Sequence, residues 1–238
     1  MSSEIKKFQD VLNFQFNNFD LLIEALTHRS YINENKEEDT SNNERLEFIG
    51  DAVLELVTTE YLFHKYPNKP EGDLTSFRSA LVRTESLAEE STKLGVGEFI
   101  RMSKGEESTG GRERSYILAN TFEAITGAIY LDQGYDKARE YLMSTVLKKT
   151  EEIVENRLDI DPKSKLQEMS QEIIKETPSY KLKSSTGPDH SKTFTMCLVI
   201  NDIELTTGKG KSKQEAEQNA AKAALDSWQE IEEKLSDS

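Results

Sequence analysis

Residues Asn42 to Leu56 read NNERLEFIGDAVLEL, and their periodicity decides the class of the fold. Glu44, Glu47, Asp51 and Glu55 stand three and four apart. At about 100° per residue they fall within roughly 80° of arc, while Leu46, Ile49, Val53, Leu56 and Val57 fill much of the opposite side. The stretch is therefore an amphipathic helix with an acidic stripe. Each unbalanced like-charge pair at i,i+4 costs about 0.3 kcal/mol in water, and more if the stripe is partly buried. A solvated face is the ordinary explanation of a charge run, but no Lys or Arg follows on this stripe, so something positive should sit there.

Outward from this stretch, helical spacing recurs in FDLLIEALTHRSY (19–31), ERLEFIGDAVLELVTTEYLFHKY (44–66), LTSFRSALVRTESLAEESTKL (74–94), YILANTFEAITGAIYLDQG (116–134) and YDKAREYLMSTVLKKTEEIVENRL (135–158). Breakers separate them: Pro67, Pro70 and Gly72, then Gly95 and Gly97, the segment GEESTGGRERS, and Gly134 at a helix C-cap. The first part of the chain reads as an all-α domain. After residue 160 the pattern changes. SKLQEMSQEIIKE is helical, SYKLKSS is a strand, TGPDHSK a turn, and KTFTMCLVIN alternates Phe194, Met196, Leu198 and Ile200 on one face as a half-buried strand does. NDIELTTGKG is a third strand and KSKQEAEQNAAKAALDSW an Ala-rich helix whose Trp228 closes the core. The expected organisation is an all-α domain over 1–150, a charged linker over 151–160, a small α+β domain of order α-β-β-β-α over 161–230, and an acidic tail over 231–238.

A chain of 238 residues that is 35% hydrophobic can bury a core. Its one cysteine, Cys197, excludes an internal disulfide framework, and MSSEIKKFQD carries no basic-then-apolar leader, so a reducing, cytoplasmic setting is expected. No apolar run approaches the roughly 20 residues of a membrane helix. A net charge of −14 argues at first sight against a nucleic-acid partner, since phosphate binding is dominated by Lys and Arg. The charge is uneven, however: ten Lys balance ten acids from Asp161 to Trp228, and −11 lies in the first 160 residues.

The helix around YILANTFEAITGAIY sets Asn120 and Glu123 three apart among apolar residues, where a lone carboxylate is costly unless paired or metal-bound. If it crosses the first helix, Glu47, Asp51, Asn120 and Glu123 converge as an all-oxygen cluster suited to a hard divalent ion, Mg²⁺ or Mn²⁺. Such an ion would balance the stripe and promote attack of water on a phosphodiester. His28 and His64 have no second His or Cys at metal spacing and read as local packing or hydrogen-bonding groups.

ERLEFIGDAVLEL, with THRSY, PEGDLTSFRSALV and SYILANTFEAITGAIYLDQG in that order, resembles the ribonuclease III family, and DPKSKLQEMSQ, TGPDHSKTF and GKGKSKQEAEQNAAKAAL resemble a double-stranded-RNA-binding domain. The resemblance implies a homodimeric, Mg²⁺-dependent endoribonuclease that cuts double-stranded RNA, leaving 5′-phosphate and 3′-hydroxyl ends with short 3′ overhangs, with ribosomal RNA precursors among its substrates. It gives Glu47 and Glu123 as metal-binding carboxylates and Asp51 as a third acid at the centre. Glu44 matches a residue near the RNA backbone and the dimer interface, and Glu71 an acid that reaches towards the partner's active site; a structural part at a helix start or loop is an equal alternative for both. Asn120 stands where many members have Asp. Its carbonyl oxygen can still serve as a ligand, so weakened metal affinity is expected, and a binding regulator that has lost cleavage is the alternative. In the second domain Ser164, Gln167, Glu168 and Gln171 match contacts to one RNA minor groove, His190 a contact to the next, and Lys211, Ser212 and Lys213 the phosphate contacts between them. Ser212 could equally be an N-cap with Glu215 as its capping-box partner.

Overall fold

The computed structural model describes residues 2–38, 40–155, 161–188 and 192–236. They form two compact units that divide between Asp159 and Ile160. The first is helical: α1 (Ser2–Leu12), α2 (Phe19–Ala25), α3 (Arg29–Glu34), α4 (Glu44–Lys65), α5 (Glu71–Val82), α6 (Thr84–Lys93), α7 (Val96–Phe99), α8 (Lys104–Ser108), α9 (Ser115–Gln133), α10 (Tyr135–Ser144) and α11 (Thr150–Glu155), with 3-10 turns at Gly111–Glu113 and Val146–Lys149. The second follows the order α12 (Pro162–Ile173), β1 (Ser179–Thr186), β2 (Thr193–Ile200), β3 (Ile203–Gly210), α13 (Lys213–Asp226) and α14 (Trp228–Ser236). Its antiparallel sheet runs β1-β2-β3.

Three apolar runs that read as continuous helices are broken in the structure. FDLLIEALTHRSY splits at Thr27, which forms an isolated parallel bridge with Arg101, and His28 then starts α3 as its N-cap. LTSFRSALVRTESLAEESTKL turns at Arg83, whose extended backbone ends α5 and opens α6. The run after Gly134 passes through the 3-10 turn before α11. The helical spacing of apolar residues carries across such short breaks, which span one to five residues.

α9 is buried nearly all round; Phe122, Ile125, Ala128 and Ile129 are fully enclosed. α4 lies across it, and the two approach at glycines. A Cβ on Gly50 would stand 1.8 Å from the Glu123 carbonyl oxygen, and one on Gly127 would stand 2.2 Å from that of Leu46. Backbone thus meets backbone, a separation no side chain at either position permits. This crossing brings the acidic stripe of α4 alongside Asn120 and Glu123 of α9.

The boundaries differ from the sequence expectation in two places. Ile153 of α11 is buried in the first core, so a linker beginning at 151 would start inside a packed helix; residues 156–160 lie outside the described residues. The acidic tail expected from 231 lies largely in α14, because Ile231 packs into the second core beside Trp228. β2 also departs from half-burial: Cys197 and Val199 are as buried as Met196, Leu198 and Ile200, while Phe194 is only half-buried. As the central strand, β2 is shaded on its outer face by cross-strand neighbours, Lys181 and Thr207 opposite Cys197 and Glu204 opposite Val199. On the inner face Leu166, Leu198, Ala220, Ala221, Ala224 and Trp228 make the core. No helix among the described residues is long and apolar enough to cross a membrane.

Candidate active site

α4 opens with Glu44 and Glu47 in its first turn, where the helix dipole favours acids, and the Asn42 side chain accepts from the Glu44 N–H at 3.2 Å. Along the stripe the four acids then meet different partners. Glu44 lies 3.7 Å from the Arg29 guanidinium, and Glu55 lies 2.9 Å from Arg78. Both arginines come from elements remote in sequence, so reading along the helix alone could not supply them. Glu47 and Asp51, between these ends, pair with no Lys or Arg of the described residues at ion-pair distance.

The uncompensated middle faces α9, and its cost is visible in the carboxyls. Burial pushes Glu123 up to about 8, with the negative charges of Asp51 and Glu47 adding to the shift. Glu47 is raised by burial as well; a hydrogen bond from the Asn120 amide pulls it back, the charges of Glu44 and Asp51 push it further up, and the Arg29 charge lowers it a little. Glu47, Asp51 and Glu123 thus lie near enough for their charges to act on one another, with Asn120 hydrogen-bonded to Glu47. Among the described residues no three or more His, Cys, Asp or Glu side chains are gathered closely enough to hold an ion, so the four groups form an open cluster on facing helices. Their oxygen-only donors and unrelieved negative charge fit a hard divalent cation.

Glu71 is not part of this cluster. It is exposed at the first turn of α5, with its carboxylate accepting from the Thr75 hydroxyl at 2.9 Å. A cavity of about 400 Å³ adjoins the cluster, sharing Glu47 and Asn120 with it and bordered further by His28, Arg29, Glu44 and Tyr116. The sequence reading missed this cavity, and also the part of Gly50 and Gly127. The glycines were findable, since a Gly inside a helix costs about 1 kcal/mol against Ala and therefore asks for a packing reason.

Residues 18–150 match the family model described as Ribonuclease-III-like, and 162–227 match the double-stranded RNA binding motif. The chain belongs to the ribonuclease III family. Ribonuclease 3 of Borreliella burgdorferi is 45% identical over 96% of this chain and 93% of its own length. Ribonuclease 3 of Bacillus cereus is 44% identical over 92% of this chain and 89% of its own. The solved nuclease domain of ribonuclease III from Campylobacter jejuni, described with flexibility in a region involved in dimer formation, is 44% identical, covers 61% of this chain and 97% of that domain, and aligns with a TM-score of 0.56.

In the second unit of this ribonuclease III family member, Ser164, Gln167, Glu168 and Gln171 are all exposed on α12, with Asp161 as N-cap accepting from the Ser164 N–H at 2.9 Å. At the start of α13, Ser212 is the N-cap: its hydroxyl accepts from the Glu215 N–H at 3.1 Å, and Glu215 accepts from the Lys211 N–H at 2.7 Å. Ser212 thus caps α13 and has a structural task whatever else it touches, while Glu215 reaches one residue beyond the N–H of a capping box. Lys211 and Lys213 are exposed and pair with no acid of the described residues. His190 lies outside the described residues.

Proposed function

We propose that the protein is an endoribonuclease of double-stranded RNA that works with Mg²⁺, with Mn²⁺ as a chemical substitute, and that Glu47, Asp51, Asn120 and Glu123 form the ion's site. The observation that carries this reading is the divided stripe: its ends are matched by Arg29 and Arg78, while Glu47 and Asp51 at its centre have no Lys or Arg of the described residues at ion-pair distance and Glu123 opposite is pushed up to about 8. A divalent ion bound there would polarise a phosphodiester and ease deprotonation of the attacking water. Glu47 and Glu123 grip the ion, and Asp51 and Asn120 orient water about it. Because Glu123 keeps a proton near neutral pH without the ion, binding releases that proton.

Homodimerisation is part of the proposal. Phe48, Leu56 and Phe63 stand exposed on α4, Phe48 at 81%, an apolar row suited to a second copy. Glu71, away from its own cluster, would then reach the partner's, and Glu44 would lie by the RNA backbone. Two centres on a dimer would cut the two strands, leaving 5′-phosphate and 3′-hydroxyl ends with short 3′ overhangs, on ribosomal RNA precursors among other structured transcripts in the cytoplasm. The exposed polar face of α12 reads one minor groove and Lys211 and Lys213 take phosphates, with His190 assigned to the next groove.

The test is cleavage of a labelled perfect RNA duplex, beside a single-stranded control, across Mg²⁺ and Mn²⁺ series, with Glu123→Ala alongside. Cutting confined to the duplex, dependent on the ion and lost in the variant, is expected. Tight duplex binding without cutting at any ion concentration would instead make the protein a binding regulator. For the second unit, Lys211→Glu with Lys213→Glu should weaken duplex binding and flatten its salt dependence by about one unit of slope per contact removed; an unchanged slope would remove phosphate contact from this helix start.

A further inference from the structure

The cavity beside the acidic cluster has a built interior. The turn that holds His28 is fixed on both sides: its N–H donates to the Arg101 carbonyl at 2.9 Å, and the buried Asn43 donates its backbone N–H to Thr27 at 2.9 Å. The imidazole is fixed as well. Ser30 takes the Ser103 N–H on its oxygen at 3.0 Å, which leaves its own hydroxyl proton for His28 Nδ1 at 2.8 Å; the Ser30 N–H points at the same nitrogen. With Nδ1 accepting, the ring proton sits on Nε2, for which no described residue serves as acceptor. His28 thus offers a neutral donor in one fixed place.

Beside it Arg29 is 70% exposed and meets Glu44 at 3.7 Å, a long surface pair that a better anion displaces at little cost. Across the cavity stands Tyr116, at the start of α9, half open to solvent. A fixed neutral donor, an exchangeable guanidinium and an aromatic edge, next to Glu47 and Asn120, match the parts of one nucleotide. A phosphate calls for the cation, whereas a ribose hydroxyl oxygen is satisfied by a neutral N–H.

We propose that this cavity seats the ribose and phosphate of a nucleotide flanking the phosphodiester that is cut, with His28 Nε2–H donating to the 2′-hydroxyl oxygen and Arg29 leaving Glu44 for the phosphate. The inference rests on the reading that the cluster at Glu47 and Glu123 cuts double-stranded RNA. It makes the first unit itself a judge of RNA against DNA, since the 2′-hydroxyl is what separates them at a given site. His28 and Arg29 are then positioning residues for the substrate.

The experiment is single-turnover cleavage of perfect duplexes carrying one 2′-deoxynucleotide at successive positions around the cut, by the wild-type chain and by His28→Asn, His28→Gln and Arg29→Ala. Asn keeps an acceptor for the Ser30 N–H and removes the Nε2–H donor, whereas the Gln amide reaches the place of Nε2. At one flanking position the 2′-deoxy substitution should slow the wild type about tenfold, the worth of one hydrogen bond. His28→Asn should show that loss on the all-ribose duplex with no further loss from the substitution, and His28→Gln should regain part of both. Arg29→Ala, an exposed change that leaves packing alone, should raise the enzyme concentration for the half-maximal single-turnover rate about tenfold with the maximal rate nearly unchanged. Equal sensitivity to the 2′-deoxy position in wild type and His28→Asn, or wild-type cutting by both His28→Asn and Arg29→Ala, would overturn the inference and leave the nuclease standing. A wild-type chain that cuts no duplex would take away both.

Discussion

The two ends of the α4 stripe and its middle carry the same chemistry and meet opposite fates. Glu44 and Glu55 are matched by arginines, whereas Glu47 and Asp51, with Glu123 opposite, are left with one another. Exposed acids can be matched by long cations that reach them across solvent. Glu47 and Glu123 are partly buried at the helix crossing, whereas Asp51 is exposed and still meets no Lys or Arg at ion-pair distance among the described residues; a cation from outside would suit all three. A run of like charge on a helix is therefore informative by what fails to pair with it.

Breaking the middle should have the largest effect. Glu123→Gln should lower duplex cleavage by about 1000-fold, as loss of several kcal/mol of transition-state charge stabilisation does. It should also change the pH dependence of stability measured in chelator. Folding raises the Glu123 carboxyl to about 8, so between its ordinary range and that value the folded state holds more protons than the unfolded one. The corresponding stabilisation is complete below about 4.5 and lost as pH rises through about 8. Thermal midpoints of the wild type should fall across this window, and those of Glu123→Gln should fall less; parallel curves would show that the carboxyl bears no such burden. Gly50→Ala comes next. Its Cβ would press on the Glu123 carbonyl oxygen, so the crossing must open at a cost of about 3 kcal/mol in denaturant unfolding.

Smaller effects sharpen the comparison. Asn120→Asp adds a charge to the middle and should lower the Mg²⁺ concentration for half-maximal cleavage by about tenfold, with Glu47 losing the amide that holds it down; an unchanged requirement would show that Asn120 does not tune the ion. Smallest of all, Glu55→Gln breaks only the pair with Arg78 and should cost about 0.5 kcal/mol in stability, with cleavage within about twofold of wild type.

Much of this was legible before any coordinates. The helical first unit and the α-β-β-β-α second unit follow from periodicity, and a Glu stranded on an apolar helix pointed to the face on which Glu123 meets the charges of Glu47 and Asp51. The matching of Glu44 and Glu55 was hidden, because Arg29 and Arg78 are brought up by tertiary folding. The breaks at Thr27 and Arg83 were hidden because hydrophobic phase survives an interruption of one to three residues. β2 looked half-buried because shading by neighbouring strands leaves no mark in its own alternation. The cavity at His28 was missed for a related reason: its walls come from three segments, and the histidine's orientation is set by Ser30 and Ser103.

The meeting of Gly50 and Gly127 also bears on when the protein becomes competent. The two halves of the acidic centre are encoded far apart along the chain, and neither helix carries a usable set by itself. During synthesis the ribosome releases α4 well before α9, so a nascent chain for a time holds only half of the proposed site. If the proposed centre is the one that cuts, no cleavage can precede the docking of these two glycines on each other's helices.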